Sequence, residues 1–110
     1  MRAATAAALS TVEGVNGFER RPATARAGSA WSTFGGGARA AGTAFMTTWN
    51  VFVVVPQDED AAVEWFDARW EALFFALEDV GYVASVVPVL LPVPNAGELK
   101  AYQIVMNIGE

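Results

Sequence analysis

The chain of 110 residues contains neither cysteine nor histidine. Their absence excludes a disulfide framework, a thiolate or imidazole zinc site, a cysteine nucleophile and a Ser-His-Asp triad. Charge is scarce too, at 17% of residues against roughly 25% in a typical soluble domain. The formal net charge of −5 argues against a general binder of phosphate backbones. No stretch approaches the roughly 20 apolar residues of a membrane-spanning helix. The richest runs, 51–55 and 83–93, are of strand length or broken by proline, so the sequence predicts a soluble chain with no membrane partner. The opening Met1-Arg2-Ala3-Ala4-Thr5-Ala6-Ala7-Ala8-Leu9-Ser10 has one Leu among small residues and no clear cleavage site after it. It reads as a short helix rather than a secretory leader. What the chain does have is apolar bulk: 54% hydrophobic residues, 12% aromatic, with four tryptophans. A domain of this length leaves much of its chain at the surface. Either that surface is unusually apolar or other subunits cover part of it.

Charge is divided along the chain. Residues 1–45 carry Arg2, Arg20, Arg21, Arg26 and Arg39 against Glu13 and Glu19, a balance of +3; residues 46–110 carry Arg69 and Lys100 against ten carboxylates, a balance of −8. This division fits subunits packed head to tail or a body with one acidic surface, and equally a solvated basic loop.

The length fits a single domain without linker or repeat. Residues 2–13 read as an Ala-rich helix stopped by Gly14 and Gly17, and residues 18–30 as an extended loop punctuated by Pro22 and Gly28. Residues 31–34 fit a short strand, and the Gly-rich stretch 35–42 the tip of a long hairpin spanning about 31–55. Residues 43–56 form the clearest strand, with Thr47, Trp49, Val51, Val53 and Val55 on one face. Phe45, Thr48, Asn50, Phe52 and Val54 supply the other, with a break near Met46 and Thr47 that fits a bulge. Asp58-Glu59-Asp60 opens a long helix whose apolar stripe is Val63, Phe66, Trp70, Leu73, Leu77 and Val80, ended by Gly81. Residues 82–93 form a strand bent or set at an edge by Pro88 and Pro92; Pro94-Asn95-Ala96-Gly97 is a turn, and residues 98–108 a closing strand. The order predicts an α+β fold: a small antiparallel or mixed four-stranded sheet, with the long helix and the N-terminal helix packed on one face.

Few residues here fit catalysis. On the long helix Asp60, Glu64, Asp67, Glu71 and Glu78 fall within roughly 60° of arc. They form one acidic ridge, which as a metal site lacks histidine support and the loop geometry that wraps a cation. As a general acid/base pair it lacks the interleaved apolar groups that raise a pKa. A metal hydrolase would need carboxylates converging from several elements. Gly35-Gly36-Gly37 lacks the lysine and spacing of a phosphate loop. Arg20, Arg21 and Arg26 form a small basic cluster too thin for nucleic-acid recognition and better suited to a partner contact. Trp65 and Phe75 lie off the apolar stripe, and so pack either against the first helix or against another subunit. Trp31 and Phe34, beside the Gly-rich stretch with Arg39, raise the same question.

Several segments together resemble one family. They are Arg21-Pro22 followed by Ala27-Gly28 and Trp31; the strand Trp49-Asn50-Val51-Phe52-Val53-Val54-Val55-Pro56-Gln57-Asp58; the helix segment Ala62-Val63-Glu64-Trp65-Phe66-Asp67; and Ala101-Tyr102-Gln103-Ile104. They resemble the tail terminator (tail completion, or minor tail) proteins of long-tailed bacteriophages, of the actinobacteriophage type. The similarity covers nearly the whole chain and describes a fold more than a chemistry. It implies a virion protein of the tail and neck, assembled in the host cytoplasm, that forms a hexameric ring. The ring caps the tail tube, ends its polymerisation and meets the head-tail connector protein, while genomic DNA passes through its lumen. It implies no enzyme activity and no cofactor. On this reading the acidic ridge faces the lumen. The interface with neighbouring subunits, tube or connector draws on Arg20, Arg21, Arg26, Trp31, Phe34, Gly35, Gly36, Gly37, Arg39, Trp65 and Phe75. Two other readings fit the composition: a dimeric α+β binding module with an apolar pocket, and another phage neck protein.

Overall fold

The computed structural model describes residues 2–39, 45–94 and 97–109. These form α1 (Arg2–Ser10), β1 (Asn16–Phe18), β2 (Ser29–Arg39), β3 (Phe45–Val54), α2 (Glu59–Glu78), β4 (Tyr82–Val93) and β5 (Gly97–Gly109). The fold is α+β. Its sheet runs β1-β2-β3-β5-β4, with β1 parallel to β2 and the other pairs antiparallel. The sheet has one strand more than the sequence pattern predicts. The extra strand, Asn16-Gly17-Phe18, is too short to show a period, and it forms because the Gly28 carbonyl accepts from the Asn16 amide at 2.8 Å.

Capping and burial explain α2. Asp58 is extended and its carboxylate accepts from the Ala61 amide at 3.0 Å, while Glu59 and Asp60 place negative charge at the positive end of the helix dipole. At the other end the amides of Val80 and Gly81 both reach the Leu77 carbonyl. The buried face is Ala62, Phe66, Leu73 and Leu77. Val63, expected in that stripe, is 48% exposed, because the helix turns its Ala62 side to the sheet and leaves Val63 on the flank toward β4.

Both helices lie on one face of the sheet, where Leu9, Val12, Phe66, Leu73 and Leu77 meet Val51, Val53, Ile104 and Met106. A second, smaller core occupies one end of the opposite face, where Trp31, Val54, Leu91 and Ala101 are buried with Ala25 of the β1–β2 connection against them. The alternation of β3 divides these cores as its sequence predicts, Val51, Val53 and Val55 to the helices and Phe52 and Val54 to the other side.

The hairpin differs from its sequence reading in two ways. Gly35, Gly36 and Gly37 are strand residues rather than a tip: β2 continues to Arg39, opposite Phe45. The expected irregularity lies not on β3 but across from it, as a register shift between Phe34 and Gly36. Gly36 takes a φ of 124°, open only to glycine, so the extra residue is absorbed there and pairing resumes at once. With no break on β3, Phe45 shares the face of Thr47 and Trp49, not that of Phe52. The remainder of the expected tip (40–44), the first residues expected in the strand (43 and 44), and Asn95 and Ala96 of the expected turn lie outside the described residues.

The two edges of the sheet differ. At one, β1 pairs only with 29–31 of β2, and 32–39 of β2 has no neighbouring strand on that side among the described residues. At the other, β4 carries Pro88 and Pro92. The Lys100 carbonyl accepts from Val55 and the Lys100 amide donates to Gln57 Oε1, so Lys100 points its backbone at β3 and away from β4. Its partner Leu90, and with it Pro88 and Pro92 in the same register, must then turn their nitrogens outward. The prolines cost the β4–β5 ladder no bond and remove two outward donors. Gln57 extends the β3–β5 ladder past Pro56, its side-chain amide donating to Val55 and Lys100 carbonyls as a backbone group would.

Candidate functional site

Asp60, Glu64, Asp67, Glu71 and Glu78 are all exposed, on the side of α2 turned away from the sheet. Glu78 has a second task, since its Oε2 accepts from the Val83 amide at 3.0 Å and ties the helix end to the start of β4. Phe75, 61% exposed, stands beside the ridge. It ends a run of touching rings that starts at the sheet: Tyr102 stacks on Phe66 at 3.8 Å, Phe66 on Trp70 at 5.5 Å, Trp70 meets Phe74 at 5.8 Å, and Phe74 meets Phe75 at 5.8 Å. Among the described residues no three carboxylates come together in a way that could hold a metal ion.

The other residues singled out in the sequence fall into distinct places. Trp65 is half-buried and packs against the main core, with the Arg69 guanidinium 4.4 Å from its ring centre. Arg69 also donates to the Glu13 carbonyl at 2.9 Å, so this pair joins α2 to the turn after α1 rather than facing outward. Trp31 is a correction. At 2% exposure it is a core side chain, tilted on Phe52 at 5.9 Å, and offers nothing to a partner. Its sequence position beside glycines hides this, because those glycines are strand residues and the β1–β2 connection closes over it. Arg21 forms the lid, its guanidinium 5.6 Å from the Trp31 ring centre and donating to the Pro92 carbonyl at 2.9 Å. Arg20 and Arg26 are exposed, and the Arg26 backbone and Ser29 close the tight turn into β2.

At the far end of the β2–β3 hairpin a basic aromatic cluster assembles on the helix-bearing side. Phe34 stands edge-on to Trp49 at 5.3 Å and is 53% exposed. The Arg2 guanidinium sits 5.5 Å from the Trp49 ring centre, and Phe45, 40% exposed, lies opposite Arg39. The sequence pattern isolates Phe34 and Arg39 but not Arg2, Phe45 or Trp49. Strand alternation carried through without a break would have placed Phe45 with Trp49.

A groove of about 590 Å³ opens where the first turns of α2 stand off β4. Ala62, Val63, Pro88, Leu90 and Tyr102 line it, with Glu59 and Lys100 among its walls. Leu90 is 56% exposed. Nothing in the residue spacing points to this groove, because Val63 continues the core stripe.

The chain matches no protein-family model, and no curated protein is significantly similar to it. Among the described residues no helix is long and apolar enough to cross a membrane.

Proposed function

We propose that the protein is a tail terminator of a long-tailed bacteriophage, a virion subunit that caps the tail tube as a hexameric ring and meets the head connector. The observation that carries this reading is that the separated segments of the resemblance form one packed unit. Arg21 covers Trp31, Trp31 leans on Phe52, the Gly28 amide bonds the Val54 carbonyl, Val55 bonds Lys100, and Tyr102 stacks on Phe66 of α2. Motifs scattered over the chain thus describe a single tertiary arrangement. The division of charge supports the same reading, with the acidic face of α2 on one side and the arginines of α1, the connection and the hairpin elsewhere. Purified protein mixed with tail tubes of the same phage is expected to give sixfold caps on tube ends in electron micrographs. Bare tube ends at saturating protein would refute the proposal.

In the ring, the ridge of Asp60, Glu64, Asp67 and Glu71 lines the lumen, where repulsion between like charges keeps DNA from adhering in transit. Virions carrying Glu64→Gln, Asp67→Asn and Glu71→Gln together are expected to assemble normally and eject DNA more slowly. Glu78 is left intact because it holds β4. Ejection at the wild-type rate would move the ridge to the outside of the ring. A second reading, a small-ligand binding module, is favoured by the groove, whose volume falls in the range of about 300–1,000 Å³ usual for ligand pockets.

A further inference from the structure

The two faces of the sheet differ in charge. Both helices cover one face, while the β1–β2 connection covers only one end of the other. The charged residues within the strands are Arg39, Glu98 and Lys100. Cross-strand neighbours share a face, so Arg39, opposite Phe45, lies on the side of Trp49. Glu98 and Lys100 alternate in step with Ile104 and Met106 of the main core. All three therefore belong to the helix-bearing side. Beyond the connection, the opposite face of β2, β3, β5 and β4 carries no charged side chain among the described residues. Amides, hydroxyls and apolar groups make it up. Thr48 Oγ1 donates to Asn107 Oδ1 and Gln103 Nε2 to Asn50 Oδ1, each at 3.1 Å, with Val87 and Tyr82 exposed beside them.

Such a face suits a second copy of the same chain. In a two-fold contact a patch meets itself, so a charged side chain near the axis would face its own like. Amides and hydroxyls carry no such conflict, because each both donates and accepts. The Nδ2 groups of Asn50 and Asn107 and the Oε1 of Gln103 have no partner among the described residues, so each copy holds the donors and the acceptor that the other can use. At a net charge of −5 two copies repel, and this is a broad surface on which they touch without opposing like charges. A partner selected by charge, whether an acidic or basic protein or a nucleic acid, requires charged groups on the surface it meets. This face has none. Its size also agrees. Four strands about 4.8 Å apart, and the span from Met46 to Phe52 at about 3.4 Å per residue, give about 19 Å by 24 Å, or about 450 Å². Two copies cover about 900 Å² before side-chain relief is counted, close to the roughly 1,000 Å² of a weak specific interface.

We infer that two copies of the free chain pack these faces together about a two-fold axis, sheet on sheet, with both helical layers outside. The contact goes beyond the ring reading and does not depend on it. Sedimentation of the full chain is expected to show a reversible dimer. Raising the ionic strength screens the net charge and is expected to tighten it severalfold, where an ion-paired contact would loosen. Val105, opposite Asn50 and Ser85, lies in the middle of the face. Val105→Glu and Val105→Lys are each expected to weaken dimerisation about a hundredfold. Their equimolar mixture is expected to restore a dimer at low salt, a recovery that unfolded chains could not give. Should either fail to melt cooperatively, the exposed Val87→Glu takes its place, with the same expected loss. Val63→Glu, exposed on the helix-bearing side, is expected to dimerise as wild type does. A chain that stays monomeric at millimolar concentration overturns the inference. So does a dimer or a ring that both Val105 variants leave intact, because the contact then lies elsewhere, the open edge of β2 over 32–39 included.

Discussion

Replacing Gly28 by alanine is expected to lower the melting temperature by roughly 15 °C. Gly28 sits where three segments cross: its amide donates to the Val54 carbonyl at 2.8 Å, and its carbonyl accepts from the Asn16 amide at 2.8 Å. Its φ of 93° costs an L-residue about 1–2 kcal/mol. A Cβ there would fall onto the Gly14 carbonyl oxygen, a backbone atom that cannot swing aside. Relieving that overlap moves β1 away from β2 and sacrifices bonds worth about 1 kcal/mol each. The sum, about 3 kcal/mol, is a large part of the roughly 5–15 kcal/mol that holds a domain of this kind together. Thermal unfolding followed by circular dichroism measures it. A melting point within a degree or two of wild type would show that the crossing at Gly28 is not a keystone of the fold.

The second large effect concerns Trp31. Trp31→Ala is expected to destabilise the isolated chain by about 3–5 kcal/mol, the usual cost of deleting a buried aromatic side chain. The loss removes the centre of the smaller core and leaves Phe52, Val54 and the Arg21 guanidinium facing a void. Phe75→Ala is the control, because a side chain 61% exposed contributes within about 0.5 kcal/mol to the fold. Denaturant titration of both variants separates a core role from an interface role. Equal, small effects would mean that the second face of the sheet has no core of its own.

Much of the architecture was legible because it rests on local periodicity. The alternation of Trp49, Val51, Val53 and Val55, the carboxylates ahead of α2 and the paired prolines of β4 each announce their element. Three things were not. The strand β1 is stabilised by a partner far along the chain, and three residues carry no period. The glycines at 35–37 have the composition of a loop, yet they are held in a ladder by Thr47, Thr48 and their neighbours opposite, with the mismatch taken up at Gly36. Trp31 reads in the sequence as a contact residue because nothing in its neighbourhood shows that the connection around Arg21 and Ala25 folds back over it.

The candidate surfaces divide in the same way. The acidic ridge follows from helical arithmetic alone, and Phe75 beside it from its distance to the buried stripe. The groove does not, since it depends on how far α2 stands off β4, a tertiary quantity. The basic aromatic cluster joins Arg2, Phe34 and Trp49 from three elements, and only the paired strands and the overlying helix bring them together.

Pro88 and Pro92 have a consequence for the chain in bulk. Between residues 86 and 92 they leave only Val86 and Leu90 as outward donors, about 13 Å apart along the strand. A cross-β stack needs an unbroken row of backbone partners in each layer, repeated about every 4.8 Å along the fibril. Two isolated amides cannot seed one. A chain with 54% hydrophobic residues and several valine runs, crowded with its own copies during synthesis, is thus barred from fibril growth at its longest edge. Two pyrrolidine rings do this without adding a single charge.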